Sequence, residues 1–285
     1  MPPPKFDNYL KVFYEVLKIM EDNKFKSDPY NFKNILLNVN DVLNILNNLN
    51  IQNITITNLD LYQRAFVHKS YCVMKDYEEY VKPDNVLSLF NVSYETLEFI
   101  GDSFLGNIIA NYLYERYFIS HGEEEGFLTK LKIRFVCGEQ LAYLSKCLGF
   151  DKYMIISKHI DESCDGRNNT NILEDTFEAF IGALYQDTGD FKLVERFIIA
   201  TIEKYVDFSD TILRDNNYKD QILRYFQHNY KVYPTYICEK ENDNTYICKI
   251  YKGEEHIETG RGISKKKSEQ DASRLALIKF CVISE

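Results

Sequence analysis

Two stretches of this chain are long and apolar enough to be interior helices, yet both carry acids that an interior resists. The first is Tyr94 to Ile109, YETLEFIGDSFLGNII, and the second is Asn171 to Gln186, NILEDTFEAFIGALYQ. At about 100° per residue, Glu95, Glu98 and Asp102 fall within an arc of roughly 60°. Asp175 and Glu178, three apart, share one face of the second segment. The other positions are apolar nearly all round, which predicts two buried helices. Like charges gathered on buried helices are costly. A divalent cation is the simplest compensation, and carboxylate and water ligands suit magnesium or manganese. An acidic row is ordinarily a solvated face. Here it is set among Leu97, Phe99, Ile100, Phe104, Leu105, Ile108 and Ile109, and a second segment repeats the arrangement. Gly101 lies mid-helix, where glycine costs around 1 kcal/mol relative to alanine. It therefore predicts close approach of another backbone.

The 285 residues suit one or two domains. The start, MPPPKFDNYL, lacks a signal-peptide pattern, and no apolar run is long enough to cross a membrane. Both features point to an intracellular, cytoplasmic protein. Seven cysteines, at 72, 137, 147, 164, 238, 248 and 281, form no CxxC pair and are odd in number. They predict free thiols in a reducing compartment. The net charge of −9 is unevenly spread: from Arg214 onward 13 basic residues face 11 acidic ones, while the remainder carries 21 against 32. Affinity for a polyanion would have to come from local basic patches. The bias to Asn, Lys, Ile and Tyr hints at an AT-rich genome, such as that of a large DNA virus or a protist; a viral chain would act in the host cytoplasm.

Four regions follow from the patterning. Residues 1–54 form an N-terminal extension, with an amphipathic helix over Lys5 to Asp22. The asparagine-rich stretch Asn31 to Asn58 keeps apolar residues at helical spacing. It reads as a helix or helical pair packed on the next domain, or alternatively as a disordered arm. Residues 55–205 read as almost all helix, with an irregular polar loop over Phe150 to Gly166. Residues 206–216 are a linker. Residues 217–285 change period: a helix over Tyr218 to Tyr230, strands opening at Tyr233 and over Thr245 to Tyr251, a third around Ile257 to Thr259, and a closing amphipathic helix.

Glu95 to Tyr114, ETLEFIGDSFLGNIIANYLY, resembles the signature helix of the ribonuclease III family. Ile172 to Gly189, ILEDTFEAFIGALYQDTG, resembles its second catalytic helix. Ala65 to Tyr71, AFVHKSY, resembles the family's early Thr-His-x-Ser-Tyr segment, with Val67 for Thr. Gly126 to Ala142 resembles its middle helices, although Cys137-Gly138 stands where Asn-Glu or Ser-Asn is more usual. The α-β-β-β-α order of 217–285, with Gly260-x-Gly262-x-Ser264-Lys265-Lys266-Lys267, resembles a double-stranded RNA-binding domain. Two features depart from that pattern. The loop Glu239 to Asn244 is short and acidic where a Gly-Pro-x-His loop is usual. Leu223 and Arg224 replace a usual Gln-Glu pair.

The resemblance implies an all-α ribonuclease III endonuclease domain followed by a small α+β RNA-binding domain. It implies an endoribonuclease that cuts double-stranded RNA with metal-activated water, leaving 5′-phosphate and 3′-hydroxyl ends with short 3′ overhangs. RNA precursors and silencing-trigger duplexes are both candidate substrates. Carried over residue by residue, Glu98, Asp102, Asp175 and Glu178 are the metal carboxylates, with Asp102 and Glu178 catalytic. Mg2+ is the expected ion, with Mn2+ as a substitute. Lys265, Lys266, Ser264 and Glu95 fall to RNA binding, with Ser264 as a helix cap. The implied partners are duplex RNA and a second copy of the chain, with Phe99 at the dimer contact; no membrane and no small-molecule substrate is expected. The rival readings are a non-catalytic duplex-RNA binder and a structural protein of an RNA particle. Retention of all four metal carboxylates favours the enzyme.

Overall fold

The computed structural model describes residues 28–208, 211, 217–241 and 245–283. The helix expected over Lys5 to Asp22 and most of the 206–216 linker lie outside these residues. The chain divides into two compact units, Met1–Asp207 and Phe208–Glu285.

The described part of the first unit is helical. Its elements are α1 (Val39–Asn48), α2 (Leu59–Arg64), α3 (Glu95–Leu113), α4 (Glu125–Phe135), α5 (Gly138–Cys147), α6 (Lys158–Ser163), α7 (Thr170–Thr188) and α8 (Phe191–Tyr205). Helix α7 begins where the Asn169 side chain accepts from the amides of Asn171 and Ile172, and ends at Gly189, whose φ of 62° stops the helix. Around α7 packs an aromatic cluster. Phe180 lies 4.9 Å from Phe150, 5.2 Å from Phe197 and 5.7 Å from Tyr62, centroid to centroid. Ser145 on α5 donates to the Leu173 carbonyl at 2.6 Å, which ties α5 to the same helix.

Helices α3 and α7 meet through reciprocal glycines. A Cβ on Gly101 would collide with the Glu178 carbonyl, and one on Gly182 would collide with the Leu97 carbonyl. This is the close backbone approach that a mid-helix Gly101 predicts. It also brings the acids of the two helices together.

Three local expectations are corrected. Helix α3 is not buried all round: Leu97, Leu105, Ile108 and Ile109 are interior, but Phe99 is 76 % exposed. Periodicity cannot distinguish an apolar face turned to the core from one turned to solvent. The asparagine-rich stretch forms a helix only over Val39–Asn48, and its asparagines are used structurally. Asn38 caps α1, while Asn31 and Asn34 both donate to the Ile156 carbonyl. The segment 150–166 is not a free polar loop. Met154, Ile155 and Ile156 are buried, and Ile155 pairs with Val67 in a parallel bridge.

The second unit runs α9 (Tyr218–Tyr230), β1 (Pro234–Lys240), β2 (Tyr246–Lys252), β3 (Glu255–Gly262) and α10 (Lys265–Lys279). The three antiparallel strands lie in the order β1-β2-β3. Ile222 and Phe226 from α9, Ile250 and Ile257 from the sheet, and Ala272, Ala276 and Leu277 from α10 form its core. The α-β-β-β-α layout is the one expected. The free-thiol expectation fails at one place: Cys238 and Cys248 are directly opposed across β1 and β2, with Cα atoms 4.1 Å apart, and are joined as a disulfide. Ten residues of sequence separation hide a register in which opposed residues nearly touch. Cys72, Cys137, Cys147, Cys164 and Cys281 are free.

Candidate active site

The crossing of α3 and α7 gathers the four predicted metal carboxylates. Glu178 is only 8 % exposed, and the charges of Asp102, Glu98 and Asp175 all act on it. Burial first, then those neighbours together with Glu174, pushes the Glu178 carboxyl up to about 8. Glu98 is pushed up to about 7 by burial, then by Asp175, Glu95 and Glu174, with Lys69 opposing. Asp175 is raised above the usual carboxylate range by burial, against the pull of a Tyr94 hydrogen bond and of Lys69. Among the described residues Glu178 accepts no hydrogen bond and forms no ion pair. An ionised carboxylate is an acceptor only, so this one, with no donor among the described residues, depends on solvent or a cation for its counter-charge. An all-oxygen donor set of this kind fits a hard, hydrated divalent cation. Glu98, Asp102, Asp175 and Glu178 are the residues that could hold it; among the described residues no three of them bring carboxylate oxygens within 4.8 Å of one another, so they would close on the ion or reach it through its waters.

In the second unit, the Ser264 hydroxyl accepts from the Lys267 amide at 3.2 Å and caps α10. Lys265 and Lys266 are exposed and pair with no acid among the described residues. The helix N-terminus and these ammonium groups together offer positive potential. Of the acidic hairpin, Glu239 and Lys240 lie in β1 and the Glu241 amide donates to Thr245 at 2.8 Å; residues 242–244 are outside the described set.

Residues 58–205 match the family model described as ribonuclease-III-like, and residues 218–279 match the double-stranded RNA binding motif. This chain belongs to the ribonuclease III family of endoribonucleases. It is 34% identical over 272 residues to "Probable ribonuclease 3" of Acanthamoeba polyphaga mimivirus, covering 93% of this chain and 49% of that one. It is 33% identical over 233 residues to Ribonuclease 3 of Borreliella burgdorferi, covering 80% and 88%. It is 34% identical over 229 residues to Ribonuclease 3 of Streptococcus agalactiae, covering 79% and 92%. The chain thus spans about half the length of its mimivirus relative. The ribonuclease III family generally uses divalent metal ions, and its RNA-binding motif binds duplex RNA. Among the described residues, no helix is long and apolar enough to cross a membrane.

Within this ribonuclease III-like unit, Phe99 stands apart from the carboxylate cluster and Glu95 lies at its edge. Glu95 is exposed there, accepts from Ser93 at 3.3 Å and lies 3.5 Å from Lys69 Nζ. Phe99 projects beside Ile100, Ser103, Phe104, Asn107 and Phe191, which frame a surface hollow of about 400 Å³. Three residues escaped the sequence reading. The Tyr94 hydroxyl donates to Asp175 Oδ2 at 2.8 Å and orients it. Nothing marks such a tyrosine in sequence, because an aromatic at a helix start reads as core. Lys69 is the cation at the rim of the cluster, and Glu174 is a fifth carboxylate within it. Glu174 could have been noticed as the residue four before Glu178. His68 is tied into the fold: burial and Lys69 hold it down to about 4, and its Nδ1 lies 2.8 Å from Ser70 Oγ.

Proposed function

We propose that this chain is a metal-dependent endonuclease of double-stranded RNA, with Glu98, Asp102, Asp175 and Glu178 holding the ion. The observation that carries the reading is Glu178, nearly buried among like charges with no donor of its own among the described residues. A bound divalent ion would supply a water of lowered pKa and charge neutralisation at the phosphate. The chain's part is to fix the carboxylates before substrate arrives. Gly101 and Gly182 set the helix spacing, and Tyr94 orients Asp175. Water attacks phosphorus and the bond to O3′ breaks, leaving a 5′-phosphate and a 3′-hydroxyl. Mg2+ is the proposed ion, with Mn2+ able to replace it. RNA precursors and silencing-trigger duplexes remain the two candidate substrates. Exposed Phe99 supports a two-fold homodimer in which each copy cuts one strand.

The test is Glu178→Gln, which keeps the shape and removes a ligand charge. Cleavage of a long RNA duplex in Mg2+ should be lost while duplex binding persists. Cleavage at the wild-type rate would overturn the assignment. The capped lysines of α10 support RNA anchoring by phosphate contact, since the A-form major groove is too narrow for side chains. Replacing Lys265 and Lys266 by Ala should weaken all duplexes alike and flatten the salt slope by about one to two units.

A further inference from the structure

Helix α5 starts at Gly138, and the Glu174 carboxylate occupies the space that a side chain there would take. A Cβ on Gly138 would collide with Glu174 Oε2 and lie 2.9 Å from its Cδ. Two ordinary explanations for this glutamate do not fit. A salt-bridging glutamate would have a cation beside it, but Glu174 forms no ion pair among the described residues. Its electrostatic neighbours are Asp175, Asp102, Glu98 and Glu178. A helix-capping glutamate would accept from the first amides of α5, but α5 has no side-chain cap and Glu174 accepts no hydrogen bond among the described residues. It is a half-buried acid turned toward other acids, beside a Glu178 that is itself more than nine-tenths buried and unpartnered there.

We propose that Glu174 is a fifth carboxylate of the cation site, a positioning residue that strengthens the hold on a hydrated divalent ion, and that the bare Gly138 admits it. The inference rests on the metal reading given above. Hydrated magnesium and manganese keep several of their waters. A carboxylate just outside the direct ligands can accept from those waters and add its charge to the field.

The experiment measures Mn2+ binding to the full chain by calorimetry, without RNA, for wild type, Glu174→Gln, Glu178→Gln and the pair Glu174→Ala with Gly138→Glu. Thermal unfolding of each metal-free protein is recorded alongside. Glu174→Gln should weaken Mn2+ binding by roughly tenfold without lowering the unfolding midpoint. The relocation pair should regain most of that affinity, because it returns a carboxylate to the same space from the other helix. If Glu178→Gln weakens binding and Glu174→Gln does not, the Glu174 proposal falls while the four-carboxylate site stands. If neither variant weakens binding, both fall. If the relocation pair unfolds at the native midpoint yet binds no better than Glu174→Gln, the space at Gly138 is not the determinant and the proposal is overturned.

Discussion

Helices α3 and α7 are alike in length and pattern and opposite in environment. Each is 19 residues long, each carries acids at helical spacing, and each has a glycine pressed on the other's backbone. Yet α7 is interior from Thr176 to Leu184, while α3 leaves Phe99 in solvent and Asp102 exposed. The difference lies in what covers them. Helix α7 is surrounded by α3, α5, α8 and the aromatic cluster, whereas α3 packs on α7 and also touches α4 and α8 but leaves the Phe99 face uncovered. The lesson is that a mostly apolar helix need not be a core helix. One of its faces can be spent on the fold and another left for a partner. The acids follow the same division: the one on the fully enclosed helix, Glu178, carries the larger electrostatic cost.

The largest effect is expected at the two glycines where the helices touch. Gly182→Ala forces a methyl into the Leu97 carbonyl. Overpacking usually costs about 1–3 kcal/mol, and a rigid backbone neighbour puts this case at about 3 kcal/mol or more. Gly106→Ala on α3 is the control, since its nearest neighbour would be Lys132 Nζ at 3.8 Å. That change should be neutral or should stabilise by up to about 1 kcal/mol through helix propensity. Urea unfolding of the two variants measures the contrast. Equal midpoints would show that the helices do not depend on the close approach.

A smaller effect concerns the enclosed acid. Glu98 and Glu178 have carboxyls raised in the folded chain to about 7 and about 8, against an ordinary 4.5. The folded protein therefore holds more protons than the unfolded one between these values. Without metal, stability should fall as pH rises through this window. Glu178→Gln removes the penalty and should raise stability at pH 8 by on the order of 1–2 kcal/mol, and less at pH 5. A divalent ion should compete with those protons, so metal binding should tighten as pH rises from 6 to 8. Thermal unfolding across pH, with and without Mn2+, reads both signs. A Glu178→Gln variant less stable than wild type at pH 8 would remove the electrostatic account.

The smallest effect on the fold should come from the exposed face of α3. Phe99→Ala should change the stability of the isolated subunit by no more than about 0.5 kcal/mol, as exposed substitutions do. Self-association should weaken instead, seen as a lower mass by light scattering at micromolar concentration. A large loss of stability with unchanged mass would mean that Phe99 serves its own subunit.

The parts legible in sequence share a physical reason: they repeat at the period of the element that carries them. Helical spacing placed Glu98 with Asp102 and Asp175 with Glu178. Gly101 signalled a close helix contact by violating helix propensity. The second unit could be read from its change of period and from Ser264 before a lysine run. The less legible parts depend on neighbours distant in the chain. The asparagines at 31 and 34 read as disorder-prone until Ile156 is seen to accept from them. The 154–156 run is short and flanked by polar residues, and only its pairing with Val67 makes it interior.

Local patterning therefore shows which residues share a face, marks the two acid-bearing helices and the strands, and requires a counter-charge for clustered acids. These are local consequences of backbone geometry and of the cost of burying charge. Tertiary structure alone decided which face of α3 meets the core, that Cys238 lies opposite Cys248, and that Glu174 fills the space beside Gly138. Each is a contact between elements, fixed by packing density and register, and no period along the chain encodes it.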